Sequence, residues 1–564
     1  MTNKKYLFHV FSLMLVVNFG YLKSAQNSNT KVIKENSATT VLYVKSVGSG
    51  TQDGSSWENA SSDIQQMINM ASANTEIWIA TGTYKPIRPA NNLNVIDIKN
   101  RDNAFVMKDN VSLYGGFSGS ETSINQRDII ANPTTLSGDF NDDDVTIGSG
   151  KTLEILNFME NAHHLIINRG KTTVDGFRIV GGSAIGGIST IQIGSTSINR
   201  SYGGGIYNVN GELSLINNVL IGNVAETYGG GIYTANGTTT ILNCKINQNL
   251  NVMLNGGAIY QQSGNMNMAQ TEVLGNHARN FGGGGVYLYA GTANVKNSNI
   301  SNNAANINGG GIHLFMGNLN ILNSSISDNS ANSFGGGIMI QPTTGTTAKI
   351  INCTLGGNIA TSGGGGVFGV AEFHNSIVWK NVSDSPEVSG TNYEPINIFN
   401  SIIQERNLVD NGNFDGTNSS LLVFKDQQNG DYSLATGSPL INAGSNALYE
   451  NAGGNLTIDK DLSGNSRVIN NIIDLGAFEF IGEMNISNVN KEKIIIYPNP
   501  FTNVVKILEM KDVQSIFVVD ASGKIIKELR PKKEIDLSLL KEGLYFINFQ
   551  MNDGSIKTFK AIKK

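Results

Sequence analysis

The chain has 564 residues, with 40 basic and 45 acidic side chains and a formal net charge of -5. This balance provides no long-range attraction to nucleic acid or anionic lipid, so neither is expected as a partner. Glycine contributes 65 residues and proline only 10, which excludes collagen and proline-rich disorder and favours ordered segments joined by many tight turns.

The N-terminus carries an export signal. Lys4 and Lys5 precede an apolar run that ends at Leu22, and a small residue follows at Ala25. This arrangement is typical of a secretory signal peptide, cleaved after Ala25. The alternative is a membrane anchor, because the run approaches the length needed to span a bilayer. The mature chain is expected to contain no transmembrane helix.

The segment after the signal alternates strand, turn and helix patterns. Apolar runs around Val41 to Val44 and Ile77 to Ala80 predict two strands, with a short helix between them around Asp63 to Ala71. These elements are predicted to cap the apolar end of a larger body, because an open end would pair with other chains.

A four-residue motif recurs through the middle of the chain in steps of 26 to 29 residues, and this repeated phrase consists of two glycines, any residue and an aliphatic residue. Two further apolar columns, beginning at Leu215 and Leu220, predict three short strands in each repeat. Two asparagine columns, beginning at Asn217 and Asn223, predict corners and ladders of amide hydrogen bonds. The aliphatic positions of the phrase are Ile206, Ile232, Ile259, Val286, Ile312, Ile338 and Val367.

The period selects one solenoid architecture. Helical repeats need helix formers and about 33 or more residues, whereas these repeats are rich in glycine, asparagine and β-branched residues. Leucine-rich repeats have a similar period, but their fixed leucine pattern is missing. The sequence therefore predicts an all-β chain containing a right-handed parallel β-helix, with one repeat per coil and equivalent residues stacked about 4.8 Å apart.

The two cysteines, Cys244 and Cys353, occupy the same place in repeats that are four coils apart. Four coils correspond to roughly 19 Å, far beyond the ~7 Å limit between the Cα atoms of a disulfide. We therefore expect two free, buried thiols, although the protein is exported to an oxidising compartment.

An aromatic column directly follows the aliphatic residue of the repeat. Because the aliphatic residue points inward, alternation along the strand places this column on the outside. Its tyrosines are predicted to form an external stripe that stacks on the sugar rings of a long glycan. The alternative is that they only brace one another up the stack. These tyrosines are Tyr207, Tyr233, Tyr260 and Tyr287.

No catalytic residue is predicted. A glycosidase needs two carboxyl groups about 5 to 9.5 Å apart, and the acids of the regular repeats scatter over different columns. Those acids are Glu212, Glu226, Glu272 and Asp328. The alternative is a polysaccharide lyase or glycoside hydrolase with its site in the first coils or in the excursion from Val382 to Glu394. The candidate acids of the first coils are Asp97, Asp102, Asp128 and Asp175.

Two acidic fragments offer oxygen atoms at alternate positions, as calcium loops do. The first holds Asp139, Asn141 and Asp143, and the second holds Asp459 and Asp461. The first lacks the glycine and distant glutamate of an EF-hand, and for both fragments a solvated acidic turn is the alternative. Calcium is the one cofactor that these fragments suggest, and no other cofactor is predicted.

The last seventy or so residues gain charge, lose glycine and contain short β-type runs between turn signals, which predicts a small β-sandwich. Their motifs resemble, in order and spacing, the C-terminal sorting domain of type IX secretion cargo. This resemblance implies export across an outer membrane by the type IX secretion machinery, whereas the alternative is an ordinary Ig-like module. The motif residues are Tyr497, Pro498, Asn499, Pro500, Gly523, Gly543 and Tyr545.

Other segments resemble secreted bacterial proteins. The repeats are similar to those of bacterial surface β-helices and polymorphic outer-membrane adhesins. The N-terminal part of secreted parallel β-helix repeat proteins is resembled by the run from Val41 to Tyr84 together with Tyr114 to Phe117, Gln126 to Asp128, Leu136 to Asp139 and Val174 to Phe177. The segments Ile441 to Gly444 and Asp474 to Glu479 resemble the closing segment named choice-of-anchor Q. The resemblances imply a surface or extracellular protein. From its elongated face we expect a non-catalytic role in adhesion or glycan binding. Its expected partners are the secretion machinery and an extracellular polysaccharide or a host or cell surface.

The sequence therefore divides into seven predicted segments. They are a signal peptide at 1–25, a linker at 26–40, a cap with the first coils at 41–180, regular repeats at 181–404, a closing β-helix segment at 405–481, a linker at 482–492 and the sorting domain at 493–564.

Overall fold

The computed structural model describes residues 40–383, 388–389, 397–418, 420–421, 423–482, 494–508, 512–520, 524–552 and 556–564. The predicted signal peptide, Gly523 and part of the excursion from Val382 to Glu394 lie outside these residues. The chain divides into two units, 1–481 and 482–564, and each is described by itself.

The first unit contains four long sheets of parallel strands. The strands of sheet 1 are Val41–Val44, Thr75–Ala80, Val111–Phe117, Lys171–Asp175, Glu212–Ile216, Gly237–Leu242, Gly264–Ala269, Thr292–Lys296, Asn318–Leu322, Thr347–Ile351, Glu372–His374 and Ile398–Phe399. Those of sheet 2 are Gly82–Tyr84, Thr134–Ser137, Phe177–Val180, Val219–Ile221, Lys245–Asn247, Glu272–Leu274, Asn299–Ser301, Ser325–Ser327, Thr354–Gly356, Ile377–Trp379 and Ile402–Ile403. Those of sheet 3 are Ser183–Ala184, Val224–Ala225, Leu250–Asn251, His277–Ala278, Ala304–Ala305, Ser330–Ala331 and Ile359–Ala360. Those of sheet 4 are Phe105–Val106, Ile166–Asn168, Ile206–Val209, Ile232–Ala235, Ile259–Gln261, Val286–Leu288, Ile312–Leu314, Ile338–Ile340, Val367–Phe368 and Val388–Ser389.

The strand register confirms the predicted stacking of repeats. Ile206 pairs with Ile232, and Ile232 pairs in turn with Ile259. The inward columns of successive coils are buried and form one continuous apolar core. Parallel strands joined this way wind right-handedly in nearly all proteins, so the fold is the predicted right-handed parallel β-helix.

The prediction of three strands per repeat is wrong, because a regular coil contains a fourth. The strands of sheet 3, such as Val224–Ala225 and Leu250–Asn251, are only two residues long. Two residues are too few to show an alternating pattern, so these segments carry no sequence signal for a strand.

Asparagine residues shape the coil in two ways. The column that begins at Asn217 takes left-handed backbone conformations between sheets 1 and 2, with φ from 44° to 54°. The column that begins at Asn223 is buried, and each Nδ2 donates to the next Oδ1 along the stack. In that ladder Asn223 donates to Asn249 at 3.0 Å and Asn249 to Asn276 at 3.0 Å. Both predicted roles are confirmed.

The two cysteines are free and buried, as predicted. Burial raises the pKa of Cys244 to about 11 and the pKa of Cys353 to about 12, so both remain protonated thiols at neutral pH. A protonated, buried thiol is a poor nucleophile, which fits the expected absence of a disulfide.

The N-terminal cap contains the predicted helix, α1, at Ile64–Met70. Asp63 caps it, because its side chain accepts a hydrogen bond from the Gln66 N–H at 2.9 Å. Met67 and Ile68 pack into the core of the solenoid. Short 3-10 helices lie at Trp57–Asn59, Ile124–Gln126, Gly150–Thr152 and Gln427–Asn429.

Two hairpins leave the coils and fold back on the outside. The first, Val145–Ile147 with Glu154–Leu156, lies along sheet 3, where Leu153 and Ile155 pack on Val224 and Leu250. The second, Thr190–Ile193 with Thr196–Asn199, packs on the outer side of sheet 4. Non-periodic insertions such as these cover parts of the solenoid that the repeat pattern leaves open.

The segment at 405–481 packs against the outer sides of the last coils. It contains the hairpin Phe424–Asp426 with Asp431–Leu434 and helix α2 at Asn446–Asn451. Tyr449 and Ile473 pack on Leu322 and Ile351 of sheet 1. An ion pair of 3.0 Å also joins Lys296 to Asp459. These contacts place the segment beside the coils.

The second unit is the predicted small antiparallel β domain, with a core of its own. One sheet contains Ile495–Tyr497, Val504–Leu508 and Glu534–Asp536, and the other contains Ile525–Leu529, Val513–Asp520, Gly543–Met551 and Ile556–Lys563. Within the described parts of both units, no helix is long and apolar enough to cross a membrane.

Candidate functional site

The predicted tyrosine column exists on the outer side of sheet 4. Its rings follow one another from coil to coil, with centroid distances of 4.9 Å for Tyr207 to Tyr233, 5.9 Å for Tyr233 to Tyr260 and 5.2 Å for Tyr260 to Tyr287. The last two pairs are nearly parallel. The column continues through His313, whose ring centroid lies 4.6 Å from that of Tyr287.

The prediction that this stripe faces solvent is wrong. The four tyrosines are only 3% to 6% exposed, so their ring faces do not reach a passing sugar. Alternation along a strand gives the side on which a residue lies, but it does not show whether another layer covers that side. Here Tyr202, Tyr228 and the hairpin that begins at Thr190 provide the cover.

Burial also fixes the ionisation of the column. Burial raises the pKa of Tyr207 to about 12 and raises the pKa of Tyr233 and Tyr260 further, so these hydroxyls stay neutral. The Tyr233 hydroxyl donates to Gln262. Burial lowers the pKa of His313 to about 3, so this imidazole is uncharged at neutral pH. The tyrosine column therefore stabilises the outer side of sheet 4 through ring stacking, as the alternative interpretation predicted.

A second set of aromatic rings lies over the column, and we call Tyr202, Tyr228, Tyr289 and Phe315 the outer aromatic layer. Tyr228 stacks on Tyr260 at 4.3 Å, and Tyr289 stacks on Phe315 at 5.1 Å with 9° between the rings. Tyr289 is 39% exposed, whereas the other three are half-buried. This layer presents aromatic surface to solvent where the inner column does not.

Sequence reasoning missed this layer because its columns have gaps. Tyr202 and Tyr228 lie four residues before the repeated aliphatic residue, where the other repeats carry asparagine or glycine, except for one that carries Phe334. Tyr289 and Phe315 lie three residues after it, where other repeats carry valine, alanine or glutamine. A search for aromatic residues at any constant offset would have found them.

The carboxylates proposed for a catalytic alternative are engaged by neighbouring groups. Arg200 holds both oxygens of Asp102 at 2.6 Å, and Arg127 holds Asp175 at 2.6 Å. Asp128 accepts hydrogen bonds from two backbone N–H groups of its own loop.

The acids of the regular repeats are engaged as well. Glu212 lies 3.7 Å from Lys171, Glu226 accepts from the Gly187 N–H, Glu272 accepts from Asn247, and Asp328 accepts from the Tyr432 hydroxyl. They occupy separate places on the solenoid.

The first calcium fragment forms a group of carboxylates at the root of the hairpin on sheet 3. Ligand oxygens of Asp139, Asp143 and Glu160 lie within 4.8 Å of one another. Asn141 is outside this group and instead donates its backbone N–H to Asp139, whose two oxygens also accept from the backbone N–H groups of Asp142 and Asp144. The oxygens left for a cation are therefore those of the other carboxylates. Sequence reasoning missed Glu160 because it follows the hairpin, whereas the two aspartates precede it.

Asp144 completes this group, which we call the acidic cluster. Burial, together with the carboxylates of Asp139 and Glu160, raises the pKa of Asp144 to about 7. Asn161 is fully buried and donates to Asp144 Oδ2 at 2.7 Å. Buried oxygens of Asp144, Glu160 and Asn161 accept no hydrogen bond from the described residues. Hard oxygen ligands of this kind fit calcium.

The second fragment is a structural turn. Asp461 is buried and accepts hydrogen bonds from Ser463, Asn465 and Glu479, all through backbone N–H groups. Asp459 pairs with Lys296 and accepts from the Tyr449 hydroxyl at 2.8 Å. Protein donors thus occupy the oxygens that calcium would need.

The structure brings the first and last motifs of the C-terminal domain together. Asn499 Nδ2 donates to the Lys560 carbonyl at 2.7 Å, and Asn499 Oδ1 accepts from the Ile562 N–H at 2.9 Å. Pro498 and Pro500 flank it at the surface. Gly543 begins the strand that pairs with the last strand of the chain, and the Tyr545 hydroxyl donates to the Lys541 carbonyl at 2.9 Å.

Comparison with known proteins identifies a family for the second unit alone. No curated protein matches the chain. A crystal structure of pectate lyase Pel9A aligns with 78% of this chain and 96% of its own chain, at 15% identity and a TM-score of 0.41. Residues 495–564 match the family model of the secretion system C-terminal sorting domain. The C-terminal domain thus matches a type IX sorting domain, which indicates export across the outer membrane to the cell surface or the extracellular space.

Proposed function

We propose that the solenoid is a non-catalytic glycan-binding module for adhesion, and that the outer aromatic layer is its contact surface. The observation that carries the proposal is the exposed Tyr289 ring, stacked on Phe315. Sugar rings present apolar C–H faces as well as hydroxyls, and an exposed aromatic ring offers apolar surface with a polar edge.

The inner column supports this role by holding the outer rings in place. Tyr228 rests on Tyr260, and Tyr202 lies 4.9 Å from Tyr233. Side chains that are already ordered lose little conformational entropy when a ligand binds, so a rigid platform favours affinity. The engaged carboxylates of the coils support binding without turnover.

A glycan array with the exported chain tests this proposal. We expect retention of one or more extended glycans, at least tenfold weaker retention for Tyr289→Ala, and no new reducing ends or unsaturated products. Tyr114→Ala is the matched control, because Tyr114 is a half-exposed tyrosine on sheet 1. Turnover of a retained glycan, or equal retention by both variants, would contradict the proposal.

We also propose that the acidic cluster binds a calcium ion, and that this ion stabilises the base of the hairpin on sheet 3. The support is the set of buried oxygens on Asp144, Glu160 and Asn161 that the described residues leave without donors. A cation would compensate several carboxylates brought close together, since burial and, to a smaller extent, mutual repulsion raise the pKa values of Asp144 and Glu160.

Thermal unfolding with calcium and with EDTA tests the calcium proposal. We expect a higher midpoint in calcium for the native chain, and loss of that difference in Asp143→Asn. Asp142→Asn is the matched control, because Asp142 belongs to the same loop but pairs with Lys85 at 2.8 Å. Identical midpoints in calcium and EDTA for the native chain would refute calcium binding.

A further inference from the structure

A cleft of about 530 Å³ opens on the same face of the solenoid as the outer aromatic layer. It lies beside helix α1, and Thr196 of the hairpin on sheet 4 contributes to its wall. Leu93, Val106 and Val209 give it apolar walls, while Lys108 and Arg169 bring positive charge. The cleft is therefore both apolar and cationic, whereas the outer aromatic layer is uncharged.

The two cations of the cleft are anchored without a carboxylate. Arg169 donates from Nη1 to the Ile193 carbonyl at 2.8 Å and to Thr196 Oγ1 at 3.3 Å. Lys108 donates to backbone carbonyls at the end of helix α1. Among the described residues neither cation forms an ion pair, and each is held by uncharged acceptors. Their charge is therefore available to a ligand.

One carboxylate also lines the cleft, and it is engaged elsewhere. Asp109 accepts from the Lys171 N–H at 2.7 Å and from the Asn110 side chain at 2.7 Å. The cleft therefore holds two positive charges and one negative charge, and its net charge favours an anion.

The register of sheet 4 connects this cleft to the outer aromatic layer. Asn168 pairs with Asn208, so the residues that follow them, Arg169 and Val209, are neighbours in the next column of the sheet. That column continues from coil to coil and reaches Tyr289. Four coil steps separate Arg169 from Tyr289, which corresponds to roughly 19 Å. A short oligosaccharide lying along the solenoid axis spans that distance.

We propose that the cleft binds a carboxylate of a uronic-acid-containing oligosaccharide whose remaining rings lie on the outer aromatic layer. This inference rests on the proposed function and specifies its ligand class. A guanidinium and an ammonium both form charge-assisted hydrogen bonds with carboxylate oxygens, and these bonds are stronger than those between neutral groups. A neutral glycan would make contact only with the aromatic part of the surface.

Titration calorimetry of the exported chain with two probes tests this inference. One probe is a tetramer of 1,4-linked uronic acid, and the other is the same tetramer after reduction of its carboxyl groups. We expect the acidic tetramer to bind about tenfold more tightly at low salt, and this preference to fall as salt rises. Arg169→Gln should remove most of the preference, and Lys108→Gln should reduce it.

Two further variants separate charge from structure. Arg169→Lys keeps the charge but alters the bonds to the hairpin, so it should retain part of the preference. Arg178→Gln removes a positive charge from an exposed position on sheet 2 and should leave binding unchanged. Equal binding of both tetramers, with loss of both in Tyr289→Ala, overturns the carboxylate site but keeps the glycan surface. Binding of neither tetramer overturns the inference, and retention of no glycan on the array overturns the proposed function as well.

Discussion

Tyr260 and Tyr289 lie one coil apart on the same face, but their side chains are 4% and 39% exposed. We expect Tyr260→Ala to lower the free energy of unfolding by about 3 kcal/mol, because it opens a cavity in the inner stack. Tyr289→Ala should change it by less than about 1 kcal/mol and reduce glycan binding instead. Denaturant unfolding of the exported chain measures both values. Equal losses of stability would mean that both rings serve only the fold.

The titration of Asp144 makes the stability of the folded protein depend on pH. Its pKa of about 7 lies above the ordinary value near 4, so between these pH values the folded state binds more protons than the unfolded state. In EDTA, the contribution of Asp144 to stability is therefore present at pH 4 and is lost as the pH rises through 7.

Asp144→Asn isolates this contribution from other titrating groups. As the pH rises from 5 to 8 in EDTA, the melting temperature of the native chain should fall relative to that of the variant. Added calcium should reduce that shift, because the ion favours the ionised carboxylate. A difference that does not vary with pH would contradict the raised pKa.

The sequence predicted which residues stand on the outer side of sheet 4, because alternation follows from strand geometry alone. It did not predict their burial, because the covering rings of Tyr202 and Tyr228 come from a column with gaps. The acidic cluster shows the same limit. Asp139 and Asp143 form a local pattern, whereas Glu160 joins them only through the hairpin that separates them in the chain.

At the scale of elements, the buried asparagine ladder joins each coil to the next. Asn276 donates to Asn303 at 2.8 Å and to the Ile246 carbonyl at 2.8 Å, while its own oxygen accepts from Asn249 at 3.0 Å. Removing one amide leaves buried donors and acceptors unpaired on both sides, and each unpaired group costs about 1 to 3 kcal/mol.

We therefore expect Asn276→Ala to lower the free energy of unfolding by about 3 kcal/mol. Asn318→Ala is the control, because Asn318 is exposed at the start of its strand and should change stability by less than about 0.5 kcal/mol. Denaturant titrations of the two variants give the comparison. A loss in Asn276→Ala no larger than that of the control would contradict a structural role for the ladder.

Elements with a repeating pattern or with clear strand, turn and cap signals could be predicted from sequence, whereas the insertions between the coils could not. The columns of sheets 1, 2 and 4 and the capping helix follow from periodicity and from the cap residue Asp63. The strands of sheet 3 were too short to show a period. The hairpins and the segment after residue 404 pack on the solenoid through contacts between residues that are far apart in sequence, such as Lys296 and Asp459.

At the scale of the whole molecule, the two units have separate tasks. The C-terminal unit carries the match to the sorting domain, and the first unit carries the solenoid and its candidate sites. Removing residues 482–564 should therefore leave the solenoid folded but stop its export, so that it accumulates between the two membranes. Cell fractionation with an antibody against the solenoid measures this outcome. Full export of the truncated chain would show that another part of the sequence directs secretion.

We propose that the stacked coils of an exported β-helix build an aromatic surface that binds an extended glycan without cleaving it. Titration calorimetry with the glycan that the array retains best, followed by mass spectrometry of that glycan, tests this claim most directly. We expect saturable binding by the native chain, at least tenfold weaker binding by Tyr289→Ala, and a glycan of unchanged mass. Binding that is unaffected by this substitution, or a shortened glycan, would contradict it.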